Sequence, residues 1–481
     1  MSGVRRGLFR GACALAGLLL GGLVMMGAAA LTDAEPEPEQ PDRSEAPDRP
    51  DPIERIKKAP TKEPSGVAPL RSVLLAWAPG GLPSSAHRIL EGTSGVRSVA
   101  TVDAGLDWIE SSRNSDGTVL DRTPGGMAIP FENAYVNPAD YAEFVAPADR
   151  DKVRSLDEGE TLFPRTSEEL RGGGTGVALR LQSGNLTVAG VVDDVTTGGY
   201  EALTAGPAPK PWDGVDRFLL IRLDQRAKAG LVERKLRGLL EPGQPLRLRP
   251  SGVNPFLRYG DSVLPQLIIK ANFGEFSARP IPGDRFIELD EAWQTRNIRG
   301  ATLPVVGEVV CHRSLIPQLR AALNEVVARD LGYTIQPEQY AGCFGARFIS
   351  AGPRHRLSHH AWGIAVDFNA SENPTGIRPN LDRRLVSVMR EHGFTWGGDW
   401  LVPDGMHFEW VEFSGRLTGG NQKGHRRQTE KPKPENRNPK TQSGIEGGRL
   451  MGGRLGPPSH VGVGTLSTRN HRRRRFSSNV P

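Results

Sequence analysis

The stretch 357–369, LSHHAWGIAVDFN, sets His359 and His360 side by side and puts Asp367 seven positions after the second histidine. A later stretch, 404–410, reads DGMHFEW and adds Asp404, His407 and Glu409. Imidazole nitrogens and carboxylate oxygens are the usual donors to zinc, which takes three or four of them at about 2 Å. Three protein donors with an open fourth position is the catalytic arrangement rather than the structural one. His360, Asp367 and His407 would make such a set. Asp404 stands three residues before His407, at the turn that enters its strand. A general base that takes a proton from water belongs there, close to the metal without ligating it.

The local pattern says how these groups would be held. GIAVDF (363–368) and MHFEWVEF (406–413) read as strands. Alternation then puts Gly363, Ala365 and Asp367 on one face and Ile364, Val366 and Phe368 on the other. The small residues leave room beside Asp367, and the apolar face goes to the core. An aspartate on such a strand is costly to bury without a partner, which a metal or an arginine would provide. His407 and Glu409 share a face, where Glu409 either orients a ligand or meets solvent. The other histidines have plainer expectations. His359 points away from the metal, His355 lies solvated in the basic loop GPRHRLS, His312 is structural, and His392 ends a helix, where a cation suits the dipole. Trp362, Trp396 and Trp400 suit a core. WGGDW (396–400) also lies near enough to wall a peptide groove, which makes Trp400 a candidate substrate contact and leaves Asp399 ambiguous.

Two helices frame these strands. SLIPQLRAALNEVVARDLG (314–332) has Ser314 as cap, Pro317 in the first turn, and one apolar face of Leu315, Leu319, Leu323, Val326 and Val327. NLDRRLVSVMREHGF (380–394) has Asn380 as cap and Gly393 as stop. Residues 301–413 thus form one globular region. Residues 68–245 form another, of mixed α/β type. VLLAWAP (73–79), SVATVD (98–103), GVALRLQ (176–182), LTVAGVVDDV (186–195) and FLLIRL (218–223) read as strands, PADYAEFV (138–145) and SEELRG (167–172) as short helices. It holds no catalytic constellation, and its pattern resembles extracytoplasmic domains of some ABC-transporter permeases. A binding, spacing or regulatory role follows. Residues 246–300 read as a connector with some β content.

The ends indicate export. Arg5, Arg6 and Arg10 precede the 21 uncharged residues 11–31. This is a basic n-region followed by an apolar segment, and Ala28, Ala29 and Ala30 could form a cleavage site. The segment is also long enough to span a bilayer, so residues 1–31 are a cleaved signal peptide or a retained membrane anchor. Charge asymmetry puts the N-terminus inside and the rest outside. Residues 32–67, with eight prolines and dense charge, read as a spacer linker. Residues 414–481 read as a disordered basic tail whose RRRR (472–475) could touch an anionic wall polymer. Residues 415–481 hold 15 Lys/Arg and 3 Asp/Glu, a net of +12, so the remainder carries −6 of the +6 total. The folded part is mildly acidic and offers no nucleic-acid surface. Of three cysteines, Cys13 lies in the export segment. Cys311 and Cys343 would face an oxidising compartment, either bonded to each other or as free buried thiols.

Taken together, the two chemical stretches resemble the M15 family of zinc D,D-carboxypeptidases and L,D-endopeptidases of peptidoglycan, which includes vancomycin-resistance carboxypeptidases and phage endolysins. The family pattern S-x-H-x-x-G-x-A-x-D fits Ser358, His360, Gly363, Ala365 and Asp367, and an acid three residues before the last ligand histidine fits Asp404 and His407. Arg347 in CFGARFIS matches an upstream arginine, and NP (373–374) after HAWGIAVDFN is similar to the endolysin-like branch. The resemblance covers about residues 300–413. It implies an α+β fold with a C-terminal Hedgehog/DD-peptidase-like zinc peptidase domain, behind the mixed α/β extracytoplasmic domain and the N-terminal helix. It implies one Zn²⁺ per chain on His360, Asp367 and His407, with Asp404 as base, Arg347 on the carbonyl or the substrate's charge, and Ser358 as a polar neighbour in contact with substrate. The implied substrate is a peptidoglycan stem peptide in the bacterial cell envelope. Many members carry Glu where this chain has Asp404, one methylene shorter. Two other classes remain: a non-catalytic wall-binding or sensor module, and a scaffold dominated by 68–245.

Overall fold

A computed structural model describes residues 73–210, 216–224, 229–349 and 356–412. The readings of 1–31, 32–67 and 414–481 lie outside the described residues, as does His355. Among the described residues no helix is long and apolar enough to cross a membrane.

The chain is mixed α/β. Its largest element is a ten-stranded sheet drawn from residues 73–250. The strand Val96–Arg113 organises it. At its start it pairs with Phe218–Leu223, in its middle with Ile129–Val136, and at its end with Ala178–Leu181, all antiparallel. That third pairing curls part of the sheet into a closed ring, whose interior holds Ile109, Phe131, Phe163, Leu179 and Val188. Closure removes edges that would otherwise present unpaired N–H and C=O groups. Only 98–103 of this long strand is legible as a strand. Ile129–Val136 is hidden because Glu132 and Asn133 interrupt its apolar run, yet all eight of its residues are buried. Arg258 pairs with Glu132 at 2.7 Å, which offsets the cost of burying that carboxylate.

Residues 246–300 are more than a connector. They contain the helix Gln266–Phe273, buried on nearly every side, and the helix Glu291–Asn297, besides three short strands. The first helix is short and buried all round, with Gln266, Lys270 and Asn272 among its buried residues, so no 3.6-residue stripe announces it. Its Lys270 is fully buried and meets Glu201 at 2.7 Å and Glu275 at 2.9 Å; Arg171 joins the same cluster through Asp121 and Glu275. The cluster ties this helix to the sheet.

The remaining elements frame the chemistry. The helix Leu315–Ala328 buries Leu315, Leu319, Ala322, Leu323 and Val326. Ser314 makes no side-chain cap, and the helix ends at Arg329, before Gly332. The second helix is shorter than its pattern, Arg383–Glu391. Asp382 rather than Asn380 caps it, accepting from Arg384 N–H at 2.8 Å; Asn380 N–H donates instead to Asn373. The two expected strands shrink to Ala365–Asp367 and His407–Trp410. With Phe394–Trp396 they make a three-stranded antiparallel sheet, order 365–367, 407–410, 394–396. One apolar cluster joins Leu106 and Trp108 of the large sheet, and Ala128 just before Ile129–Val136, to Phe273, Phe276, Trp362 and Phe408.

Candidate metal centre

Register brings the second and third donors together. In the three-stranded sheet Asp367 stands directly opposite His407, and Ala365 opposite Glu409. His360 comes from the turn before, a short 3-10 helix His359–Trp362. Ser358 caps it, its Oγ accepting from His360 N–H at 3.4 Å. Gly363 ends it in the left-handed region, φ 67°. A Cβ there would lie 2.7 Å from the His312 nitrogen, so only glycine closes this turn. The turn replaces the first residues of the expected 363–368 strand. Trp362, beside it, donates from Nε1 to the Gly274 carbonyl at 3.1 Å and is core.

Three donor atoms converge. His360 Nε2 lies 3.1 Å from Asp367 Oδ2 and 3.2 Å from His407 Nδ1, and His407 Nδ1 lies 2.8 Å from Asp367 Oδ1. All three residues are buried. Donors around a tetrahedral ion with bonds near 2.1 Å stand about 3.4 Å apart. Here one Asp367 oxygen faces each imidazole, and one donor atom from each residue lies within 4.8 Å of the others, close to the spacing an ion needs. The tautomers also suit an ion. His360 Nδ1 sits 2.8 Å from the Cys343 carbonyl, which only accepts, so Nδ1 carries the hydrogen and Nε2 keeps its lone pair. His407 Nε2 faces Glu409 Oε1 at 3.3 Å, which leaves Nδ1 toward the triangle. The donor set and its outer hydrogen bonds fit a divalent ion.

The electrostatics point the same way. Burial works to raise Asp367, but His360 and His407 outweigh it and hold the carboxyl well below its usual range. Glu409 behaves alike, with burial outweighed by His359 and His407. Burial pulls His407 down, yet hydrogen bonds to Asp367 and Glu409 push it up to about 10. Burial keeps His360 below its ordinary value. This is a buried anionic cluster that holds a positive charge at His407, where a metal ion would supply one.

Asp404 sits one turn before His407. Its N–H donates to Gly397 O at 2.9 Å and its carbonyl accepts from His407 N–H at 3.2 Å. Gly397 has no side chain because a Cβ would press to 2.7 Å from the Asp404 carbonyl. Asp404 Oδ1 is buried without a hydrogen-bond partner among the described residues. Burial raises its pKa, and Asp367 adds to this; His407 and a hydrogen bond from Thr375 work against it. Arg347 Nη2 lies 3.7 Å from Asp367 Oδ2, on the loop that also supplies the Cys343 carbonyl. A disulfide joins Cys343 to Cys311, Cα atoms 5.3 Å apart, and so ties that loop to the strand Gly307–His312.

The other expected residues fall as follows. Trp400 stands at the rim, its ring 5.3 Å from that of His407. Ser358, expected as a substrate contact, is buried and serves as the cap described above. Asp399 is on the surface, paired with Arg390. His312 is buried and its Nδ1 accepts from Ser314 N–H at 3.1 Å. His359 turns from the triangle but meets Glu409 at 3.0 Å, so it is part of the site's surroundings. Two supports were not foreseen: the Cys343 carbonyl under His360, and Ser262, which donates to Glu409 at 3.0 Å from 147 residues away. Neither has a local sequence signal.

A family model described as D-alanyl-D-alanine carboxypeptidase, of the M15 peptidases, matches residues 351–410. That short stretch contains His360, Asp367, Asp404 and His407 but not Arg347. A comparison with curated proteins finds no match. Two solved structures are similar over part of the chain. The periplasmic region of MacB from Actinobacillus actinomycetemcomitans is 10% identical with a TM-score of 0.26, over 37% of this chain and 88% of that one. A domain of a putative permease protein from Porphyromonas gingivalis is 17% identical with a TM-score of 0.26, over 41% of this chain and 96% of that one. At such scores these two likenesses carry no argument about function. The partial match to a peptidase family, and the donor triangle within it, are what the site rests on.

Proposed function

We propose that this chain is an exported zinc-dependent peptidase that hydrolyses peptidoglycan stem peptides, as a D-Ala-D-Ala carboxypeptidase or an L,D-endopeptidase. The observation that carries the reading is the buried triangle of His360, Asp367 and His407 with the unpartnered carboxylate oxygen of Asp404 beside it. A bound zinc ion supplies Lewis acidity, lowering the pKa of water and polarising a carbonyl oxygen. The chain's own groups do the rest. Asp404 accepts the proton of the attacking water and returns it to the leaving amine. Its raised pKa suits both directions, because a base that is too weakly basic cannot take the proton. Arg347 offers a fixed positive charge to the oxygen that becomes negative, or to a substrate carboxylate. The Cys343 carbonyl holds the His360 hydrogen on Nδ1, and Glu409 would hold the Nε2 hydrogen of His407 once its Nδ1 proton is released, so that both lone pairs face inward. Trp400 walls the approach.

Location follows from the ends. The basic and apolar residues 1–31 send the chain outside the cytoplasm as a secreted or anchored protein, and 32–67 space it from the membrane. The tail 414–481 offers positive charge to an anionic wall polymer. A binding module that had lost its chemistry would not need a buried Asp404 with one carboxylate oxygen left unpartnered, so the enzyme is the better reading. The test is mass spectrometry of peptidoglycan fragments incubated with the zinc-loaded full chain, beside Asp404→Asn. Products that need Asp404 support the peptidase and identify the bond; intact fragments with one zinc per chain favour the binding module.

A further inference from the structure

The segment between the strand Arg247–Pro250 and the helix Gln266–Phe273 reaches the triangle from outside the matched stretch. Ser262 Oγ donates to Glu409 Oε2 at 3.0 Å and lies 3.4 Å from His359 Nε2. Glu409 Oε1 faces His407 Nε2 at 3.3 Å and His359 Nδ1 at 3.0 Å. The Glu409 carboxylate is thus gripped by three groups, and one of them comes from a distant part of the chain.

Ser262 is itself held from the large sheet. Arg258 pairs with Glu132 and donates to the Gly199 carbonyl at 3.2 Å. Tyr259 N–H donates to Tyr200 Oη at 3.2 Å, and Tyr259 Oη donates to the Ala78 carbonyl at 2.9 Å. Asp261 accepts from Leu401 N–H at 2.5 Å and from Arg247 at 3.3 Å. The same few residues therefore touch the support of His407 and the backbone next to Trp400.

We propose that Ser262 is a positioning residue of the metal centre: with His359 it holds the Glu409 carboxylate against His407, so the sheet-anchored segment completes the site. The proposal rests on the reading of His360, Asp367 and His407 as metal ligands. Without Ser262 the carboxylate keeps its charge but loses a donor that fixes its rotation. His407 Nδ1 is then less firmly aimed. Loss of such an outer partner typically weakens metal binding about 10–100-fold.

The test uses the full chain and cobalt(II) as the probe. Cobalt affinity and the visible cobalt spectrum are measured for wild type, Ser262→Ala, Ser262→Thr, His359→Gln and Asp367→Asn, with the metal-free melting temperature of each. Ser262→Ala is expected to bind cobalt about 10–100-fold more weakly with a changed spectrum. Its metal-free melting temperature falls by no more than the loss of one hydrogen bond accounts for, and Ser262→Thr restores affinity and spectrum. His359→Gln removes the other support of Glu409 and shifts affinity in the same direction, which gives a reading independent of any folding defect at Ser262. If wild type binds no cobalt, or Asp367→Asn binds as tightly as wild type, the ligand reading fails and takes this proposal with it. If those two behave as expected while Ser262→Ala and His359→Gln keep wild-type affinity and spectrum, the positioning role alone is overturned.

Discussion

Metal uptake at the proposed site is expected to release a proton. In the metal-free chain burial lowers His407, but Asp367 at 2.8 Å and Glu409 at 3.3 Å raise it to about 10. At neutral pH the ring is therefore doubly protonated. An ion on Nδ1 excludes the proton there, while Nε2–H stays on Glu409. His360 contributes no proton, because burial holds it below its ordinary value, and Asp367 is ionised already. The balance is about one proton per ion between about pH 7 and 9. Affinity then rises about tenfold, or about 1.4 kcal/mol, per pH unit, and about a hundredfold across that window. The linkage has a counterpart in stability. The folded pKa of His407 lies above its unfolded value near about 6.5, so its contribution to the metal-free fold is complete below that pH and lost as pH climbs toward 10. Bound metal removes that alkaline loss. Calorimetric cobalt titrations in two buffers of different ionisation enthalpy count the protons directly. Equal binding enthalpies in both buffers, with an affinity flat from pH 7 to 9, would refute the charge assignment at His407.

Three further outcomes follow from the fold. Lys270→Met leaves Glu201 and Glu275 buried with one cation fewer, and is expected to cost about 3–5 kcal/mol in urea unfolding. Reducing Cys311–Cys343, which closes 32 residues, is expected to cost about 3–4 kcal/mol and to weaken metal binding as well, since Cys343 supplies the carbonyl that orients His360; an unchanged melting temperature and cobalt affinity after reduction would contradict it. Trp108→Ala, on the large sheet, is expected to cost about 3–5 kcal/mol and to lower kcat/KM, because its ring packs edge-on to Phe348, next to Arg347, at 6.2 Å.

The candidate donors were legible because their chemistry is local. His360 and Asp367 fall on one turn-and-strand unit, Asp404 and His407 on another, and each spacing is short enough to read along the chain. What lies around them was not legible. Glu409 could have faced solvent; only the pairing of 365–367 with 407–410 shows it buried opposite Ala365. Ser262 contributes through a contact 147 residues long, which no local period encodes. The helix Gln266–Phe273 hid because a short element that is buried all round, polar residues included, has no stripe. Ile129–Val136 hid because its polar residues find partners distant in sequence, Glu132 in Arg258 and Asn133 in Thr204. In each case the missing information was a partner, and partners are settled by tertiary packing rather than by propensity.

The shared core also bears on how activity is measured. Phe348, Trp362 and Phe408 pack in one cluster with Leu106, Trp108 and Ala128, so the full chain is the proper reagent. The most direct measurement is turnover of a stem peptide by the zinc-loaded full chain in water enriched in ¹⁸O. The account predicts one ¹⁸O in the newly formed carboxylate, with product lost on chelation and in Asp404→Asn. A chain that carries one zinc on His360, Asp367 and His407 and leaves every stem peptide uncleaved would contradict it.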